Sequence, residues 1–248
     1  RFLQHGVTKD DVSLFINGLI KRLSLILTVS DFERDSFLSD FYNFDSQEVQ
    51  VLGFPRYDKL NNENLKQQIL FSHTWRLGIN NDFQFLNSDY YESINSFFNN
   101  ERLKNLLLEY DYQLLFKPHP ELMKYIHLFD IPDHVNVVCK EKYSDLFNES
   151  MLLITDYSSI FFDFSYLKKP IIYYQPNEYG NYEEGYFDYN SMGFGDLIKK
   201  EDVLINKIES YLENGCIMEN KYEQRVNKFF KFDDKNNSQI SRSEERFS

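Results

Sequence analysis

Short apolar runs recur along the chain, each bounded by polar residues and most followed by a stretch whose spacing suits a helix. Residues 24–29 (Ser-Leu-Ile-Leu-Thr-Val) form such a run, and Ser30-Asp31-Phe32-Glu33 after it supplies a cap for a helix reaching about Phe41. Residues 48–52 read as the next strand. Gly53-Phe54-Pro55-Arg56-Tyr57-Asp58 then breaks the pattern and Asn61-Asn62-Glu63-Asn64 makes a polar connection, so a domain boundary is expected near residues 55–66. Beyond it, strands are expected at 68–72, 112–116, 135–139, 151–155 and 170–174, and helices at 90–98, 101–109, 121–129, 143–149 and 159–167. This alternation implies an α/β fold with a parallel, doubly wound sheet, in which ligands bind beyond the carboxyl ends of the strands. Residues 229–248 are polar and charged and are expected to fray.

Two of those strand ends carry chemistry. Thr155-Asp156-Tyr157-Ser158-Ser159 follows the apolar run 151–154 and opens a helix, where unpartnered backbone N–H groups and the helix dipole favour phosphate. Ser158 and Ser159 would add hydroxyl donors. Asp156 reads equally as a turn or cap residue and as a ligand contact. Asp163 lies one turn after Ser159 on the same face, placed to accept from ribose hydroxyls; the alternative is a surface Asp favoured by the dipole. At the other strand end, Lys117-Pro118-His119-Pro120 fixes a cation and an imidazole in stiff, extended backbone, the kind of preorganised charge that phosphate transfer uses. The alternative is a loop of solvated charges. Arg56 at the expected domain crossing and Arg76 after Trp75 could face the same cleft, although Arg56 could equally form a salt bridge across the hinge. His5, beside Gly6, is either a proton acceptor at a cleft or a hydrogen-bonded turn residue.

Charge and composition narrow the partners. A formal net charge of −12 and a pI near 4.9 disfavour a nucleic-acid backbone binder, which needs a basic footprint. Cys139 and Cys216 are far apart, so neither a disulfide framework nor a zinc site follows, and a reducing cytoplasm is the default. No apolar run approaches the roughly 20 residues that span a bilayer. Neither a P-loop nor a dinucleotide-binding glycine motif is present. The chain opens on Arg1-Phe2-Leu3-Gln4-His5-Gly6 without an initiator Met and reads as the tail of a strand whose preceding element is missing, a piece of something longer.

These motifs, in order, resemble the CDP-glycerol glycerophosphotransferases, the family of teichoic acid primases and polymerases and related capsule polymerases. The resemblance rests on Gln4-His5-Gly6, residues 53–58, Thr74-Trp75-Arg76, residues 117–120, residues 155–163 and Lys168-Lys169-Pro170-Ile171-Ile172-Tyr173-Tyr174. It implies a GT-B-like fold of two Rossmann-like domains with parallel sheets. Residues 1–58 would be the end of an incomplete acceptor-side domain, 59–240 the nucleotide-donor domain and 241–248 a polar tail. It implies catalytic roles for His5, as base, and His119, on the donor diphosphate. Donor phosphate would be held by Lys117, Ser158, Ser159, Arg56 and Arg76, and ribose by Asp163. Two departures stand out. His73 replaces the usual Pro before Thr74, and the expected continuation after Asn237-Ser238 is lost.

The implied reaction transfers glycerol phosphate, ribitol phosphate or a similar polyol phosphate from a CDP-activated donor to a hydroxyl of a growing cell-wall or capsular polymer, with release of CMP. The acceptor would be an anionic polyol-phosphate polymer or a glycan. No metal or other cofactor is required, since Lys117, His119 and the helix start can carry the diphosphate charge. The site of action would be the cytoplasm, at the inner face of the bacterial membrane, with peripheral contact and no nucleic-acid partner. A GT-B glycosyltransferase or nucleotide-sugar epimerase, and a non-catalytic nucleotide-binding module, are the alternatives.

Overall fold

Ser30 lies two residues past the first strand and caps the first helix. Its backbone is extended (φ −144°, ψ 158°) and its Oγ accepts the Glu33 N–H, which satisfies one of the orphan donors of α1 (Asp31–Phe37) directly after β1 (Ile26–Thr28). β1 pairs in parallel with β2 (Val49–Val51). The structure, a computed structural model, describes residues 6–19, 21, 23–178 and 184–238. His5 and the tail 241–248 lie outside the described residues.

The chain leaves β2 through the 3-10 turn Pro55–Lys59 and enters a second, six-stranded sheet of β3 (Gln68–Ser72), β4 (Gln113–Phe116), β5 (Val135–Val137), β6 (Leu152–Thr155), β7 (Ile171–Tyr174) and β8 (Gly195–Ile198). All neighbours are parallel, in the order β5-β4-β3-β6-β7-β8, so the winding reverses between β3 and β6. β3, β6 and β7 are buried along their whole length, as parallel strands covered on both faces must be. Ile69 and Phe71 pack on one face, under α2 (Asp82–Leu86), α3 (Asp89–Phe98), α4 (Glu101–Glu109) and α7 (Glu201–Glu213). Leu70 packs on the other, with α5 (Tyr143–Glu149), α6 (Ile160–Ser165), α8 (Asn220–Phe229) and, in the same cluster, Val29, Leu52 and Tyr57 from the first sheet's side. That shared cluster ties the two sheets together.

The expected alternation of strands and helices is present, with differences that have physical causes. Residues 121–129, expected as an α-helix, lie in a 3-10 helix, Pro120–Leu128. Its buried residues Leu122 and Tyr125, with the partly buried Leu128, recur every third position, which fits three residues per turn. β8 lies beyond the expected strands and is the least strand-like in composition. A Cβ at Gly195 would lie 1.8 Å from the Ile171 carbonyl, so only glycine lets this edge strand close on β7. The helix expected at 159–167 is shorter, because Lys168 adopts φ 56°. No helix among the described residues is long and apolar enough to cross a membrane.

Candidate active site at the switch of the six-stranded sheet

The turn after β6 meets the loop after β3 where the strand order reverses, the position at which doubly wound sheets bind ligands, and β4, which carries the other motif, is the next strand along. Asp156, directly after β6, is fully buried. It accepts the Thr74 backbone N–H at 2.8 Å, the Thr74 hydroxyl at 2.9 Å and an Arg76 guanidinium N–H at 2.7 Å, all from the loop after β3. Burial alone would raise this carboxyl, yet His73, Arg76 and the Thr74 N–H together hold it below its ordinary 3.8. His73 is itself driven down to about 4 by burial, so it is neutral at pH 7 and the countercharge is Arg76. Asp156 therefore holds the turn through these bonds, while the N-cap position of α6 belongs to Ser159. Asp156 fastens the loop after β3 to the loop after β6 at the mouth of the crevice.

Ser158 and Ser159 stand half-exposed above that fastening. Ser159 has helical backbone and its side chain makes no cap bond, while the Ser158 Oγ lies 3.5 Å from the Ile160 N. His119 lies at the start of the 3-10 helix after β4, where its Nδ1 accepts the Glu121 backbone N–H at 3.2 Å. That bond assigns the ring proton of the neutral imidazole to Nε2, leaving an N–H donor on the other edge. Burial lowers the His119 pKa against the opposing pull of Glu121 and Asp156, so the ring is neutral at pH 7.

Three expected phosphate or ribose contacts are engaged elsewhere. Lys117 is buried, and its ammonium donates to the carbonyls of Cys139 and Glu141 at 2.8 and 2.9 Å. It organises the loop after β5 instead of standing free over a diphosphate. Arg56 and Asp163 are paired with each other through two 2.8 Å bonds, and Asp163 also accepts the Tyr57 hydroxyl at 2.9 Å. The bidentate fork of Arg matches a carboxylate better than any single ribose hydroxyl would, which explains the pairing. Arg76 is divided between Asp156 and the Thr74 carbonyl, at 2.9 Å, with its guanidinium over the Tyr90 and Tyr157 rings at 4.9 and 5.4 Å. The structure thus joins Thr74 and Arg76 to Asp156 in the turn that carries Ser158 and Ser159, keeps His119 within the electrostatic reach of Asp156, and pairs Arg56 with Asp163.

Sequence reasoning missed Glu33 and Lys9. Glu33 is fully buried and its carboxyl reaches the backbone N–H groups of Thr8 and Val29. Its signal was visible as a carboxylate three residues after a capping Ser, although the expected return bond goes to the cap itself. Lys9 is buried and ion-paired with Asp10; a lysine between Thr8 and Asp10 gives no sequence signal of burial.

A family model, curated proteins and solved structures are similar to this chain. The model of CDP-glycerol:poly(glycerophosphate) glycerophosphotransferases matches residues 20–241. The minor teichoic acid biosynthesis protein GgaB of Bacillus subtilis is 37% identical over 248 residues, covering 95% of this chain and 28% of its own length. A teichoic acid poly(glycerol phosphate) polymerase of Bacillus spizizenii is 33% identical over 177 residues, 63% of this chain and 43% of that protein. The chain therefore spans less than half the length of these relatives. Among solved structures, the wall teichoic acid polymerase TagF superposes with a TM-score of 0.66 at 19% identity, over 98% of this chain and 68% of that one. The UDP-GlcNAc 2-epimerase of Methanocaldococcus jannaschii reaches 0.55 at 16% identity, over 91% of this chain and 61% of that one, and both likenesses speak to the α/β fold alone. On the match over residues 20–241, the chain belongs to the CDP-glycerol:poly(glycerophosphate) glycerophosphotransferase family.

Proposed function

We propose that this chain holds the CDP-donor site of a transferase that moves a polyol phosphate from a CDP-activated polyol to a hydroxyl of a growing cell-wall or capsular polymer. The supporting observation is the joining of the Asp156–Ser159 turn to the Thr74–Arg76 loop at the sheet's switch, with His119 at the end of the neighbouring strand β4, in a chain of this family. The acceptor hydroxyl attacks the β-phosphorus of the donor. Its bond to phosphorus forms as the bridging P–O bond breaks, the hydroxyl proton passes to a base, and CMP departs with the electron pair. On the family resemblance that base is His5. The Nε2–H of His119 and the hydroxyls of Ser158 and Ser159 face the diphosphate and meet the charge that develops on its oxygens, where fixed donors act most strongly. Arg76 keeps the turn in place through Asp156. Residues 59–240 form the donor-binding part, and the reaction runs in the cytoplasm, at the inner face of the bacterial membrane. No step is assigned to a metal or other cofactor.

Calorimetry with CDP, CMP, UDP and ADP tests the donor assignment. CDP is expected to bind, and His119→Ala to weaken it about 10–100-fold, the loss of one hydrogen bond to a charged group. Preference for UDP, or CDP affinity unchanged in His119→Ala, would remove the assignment.

A further inference from the structure

We propose that Glu33 is a positioning residue: through its bond to the Thr8 backbone it sets where the 6–10 segment lies against the donor turn at Ser159. The catalytic consequence rests on the transferase reading above, whereas the structural one stands on geometry alone. Glu33 occupies the third position of α1, where a capping-box carboxylate ordinarily returns to its own cap. Here it does something else. One oxygen accepts the Val29 N–H at 2.9 Å and the other the Thr8 N–H at 2.8 Å, across 25 residues of sequence. Burial pushes this carboxyl up to about 8, so keeping it fully enclosed is costly, and it brings two otherwise separate backbone segments together.

The segment it holds is clamped on its other sides as well. Val7 is buried in the cluster shared by both sheets. A Cβ at Gly6 would lie 2.8 Å from the Ser159 Oγ, so the chain passes directly over the donor turn at a distance glycine permits. A Cβ at Gly185 would lie 2.3 Å from the Lys9 carbonyl, and the Lys9 ammonium sits 5.7 Å from the Tyr189 ring centroid. Beyond Ser159, α6 carries Asp163, which is bonded to Arg56 of the crossover through the two 2.8 Å bonds. The Glu33 bond to Thr8 and the close approach of Gly6 to Ser159 therefore connect the first sheet's helix to the donor turn through the 6–10 segment. Removing the Glu33–Thr8 bond loosens one attachment of the 6–10 segment and alters none of the side chains assigned to the diphosphate.

Glu33→Gln in the full-length protein is the test, because it keeps shape but sets an amide NH₂ against a backbone N–H. Exchange at the Thr8 amide is expected to accelerate roughly tenfold, as a lost hydrogen bond to a carboxyl would allow. With a CDP-polyol and acceptor, kcat for CMP release should fall about 10–100-fold, the scale of a small misplacement, while the Kd for CDP stays near wild type. A destabilised control remote from the site, Ile205→Val in α7, should leave kcat and Kd unchanged. Unaltered Thr8 exchange would overturn the proposal, as would a fall in kcat matched by an equal loss of CDP affinity. Should the wild-type protein release CMP from no CDP-polyol, the transferase reading fails and Thr8 exchange alone decides the role of Glu33.

Discussion

Arg56 and Asp163, separated by 107 residues of sequence, are joined by two 2.8 Å hydrogen bonds from one guanidinium to one carboxylate. Arg56 leaves the crossover between the two sheets and Asp163 sits one turn into α6, so the pair fixes the donor turn relative to the first sheet. The Arg56 side chain remains 34% exposed and that of Asp163 16%, which places the pair between a surface bridge and a buried one. Asp163→Asn is expected to cost about 1–2 kcal/mol, less than a fully enclosed pair because water still screens the guanidinium. Arg56→Met should give a similar loss, and denaturant unfolding of the double variant should show the two to be coupled. For donor binding the two variants should behave alike. A loss of CDP affinity confined to Asp163→Asn would return Asp163 to the ribose.

Two glycines are expected to fail in opposite ways. Gly6→Ala meets a rotatable hydroxyl, that of Ser159, so the side chain can swing aside; donor affinity should drop several-fold with little change in Tm. Gly195→Ala meets the Ile171 carbonyl at 1.8 Å, and backbone in a sheet cannot swing aside. It should cost about 1–3 kcal/mol or more through overpacking and leave the donor affinity of the folded fraction intact. A thermal melt paired with CDP calorimetry separates the cases; stability loss in Gly6→Ala with normal affinity would contradict the close approach over Ser159.

Glu33 gives stability a definite pH slope. Its pKa rises from an ordinary 4.5 to about 8 on burial, so the folded protein holds a proton that the unfolded chain releases. The contribution is fully present below about 4.5 and is lost as pH rises through about 8. Unfolding free energy measured from pH 5 to 8 should therefore decline more steeply in the wild type than in Glu33→Gln. Equal slopes would show the carboxyl to be ionised throughout.

What the sequence revealed, and what it hid, divides along the range of the interactions. β3, α4 and α5 fall at their expected bounds because their signals are local: an unbroken apolar run, the Asn100 cap and a short amphipathic stretch. The places of Ser158, Ser159 and His119 just past strand ends were legible because strand-end position is a local property. The partners of Arg56, Asp163 and Lys117 were not, because each is chosen by packing between segments 22 or 107 residues apart. α7 and β8 lie past the last strand expected from the alternation. The stripe Leu204, Ile205, Ile208, Tyr211 and Leu212 is a plain helical signal, whereas Gly195-Asp196-Leu197-Ile198 carries almost none for a strand.

The most direct test of the central claim is nucleotide release by the full-length protein, supplied with a polyol-phosphate or glycan acceptor and offered CDP-glycerol, CDP-ribitol and UDP-sugars in parallel. The expected result is CMP from a CDP-polyol, abolished or cut about 10²–10⁴-fold in His5→Ala, with no UDP released. Release of UDP from a sugar donor, or CMP release undiminished in both His5→Ala and His119→Ala, would contradict the assignment of polyol-phosphate transfer to this site.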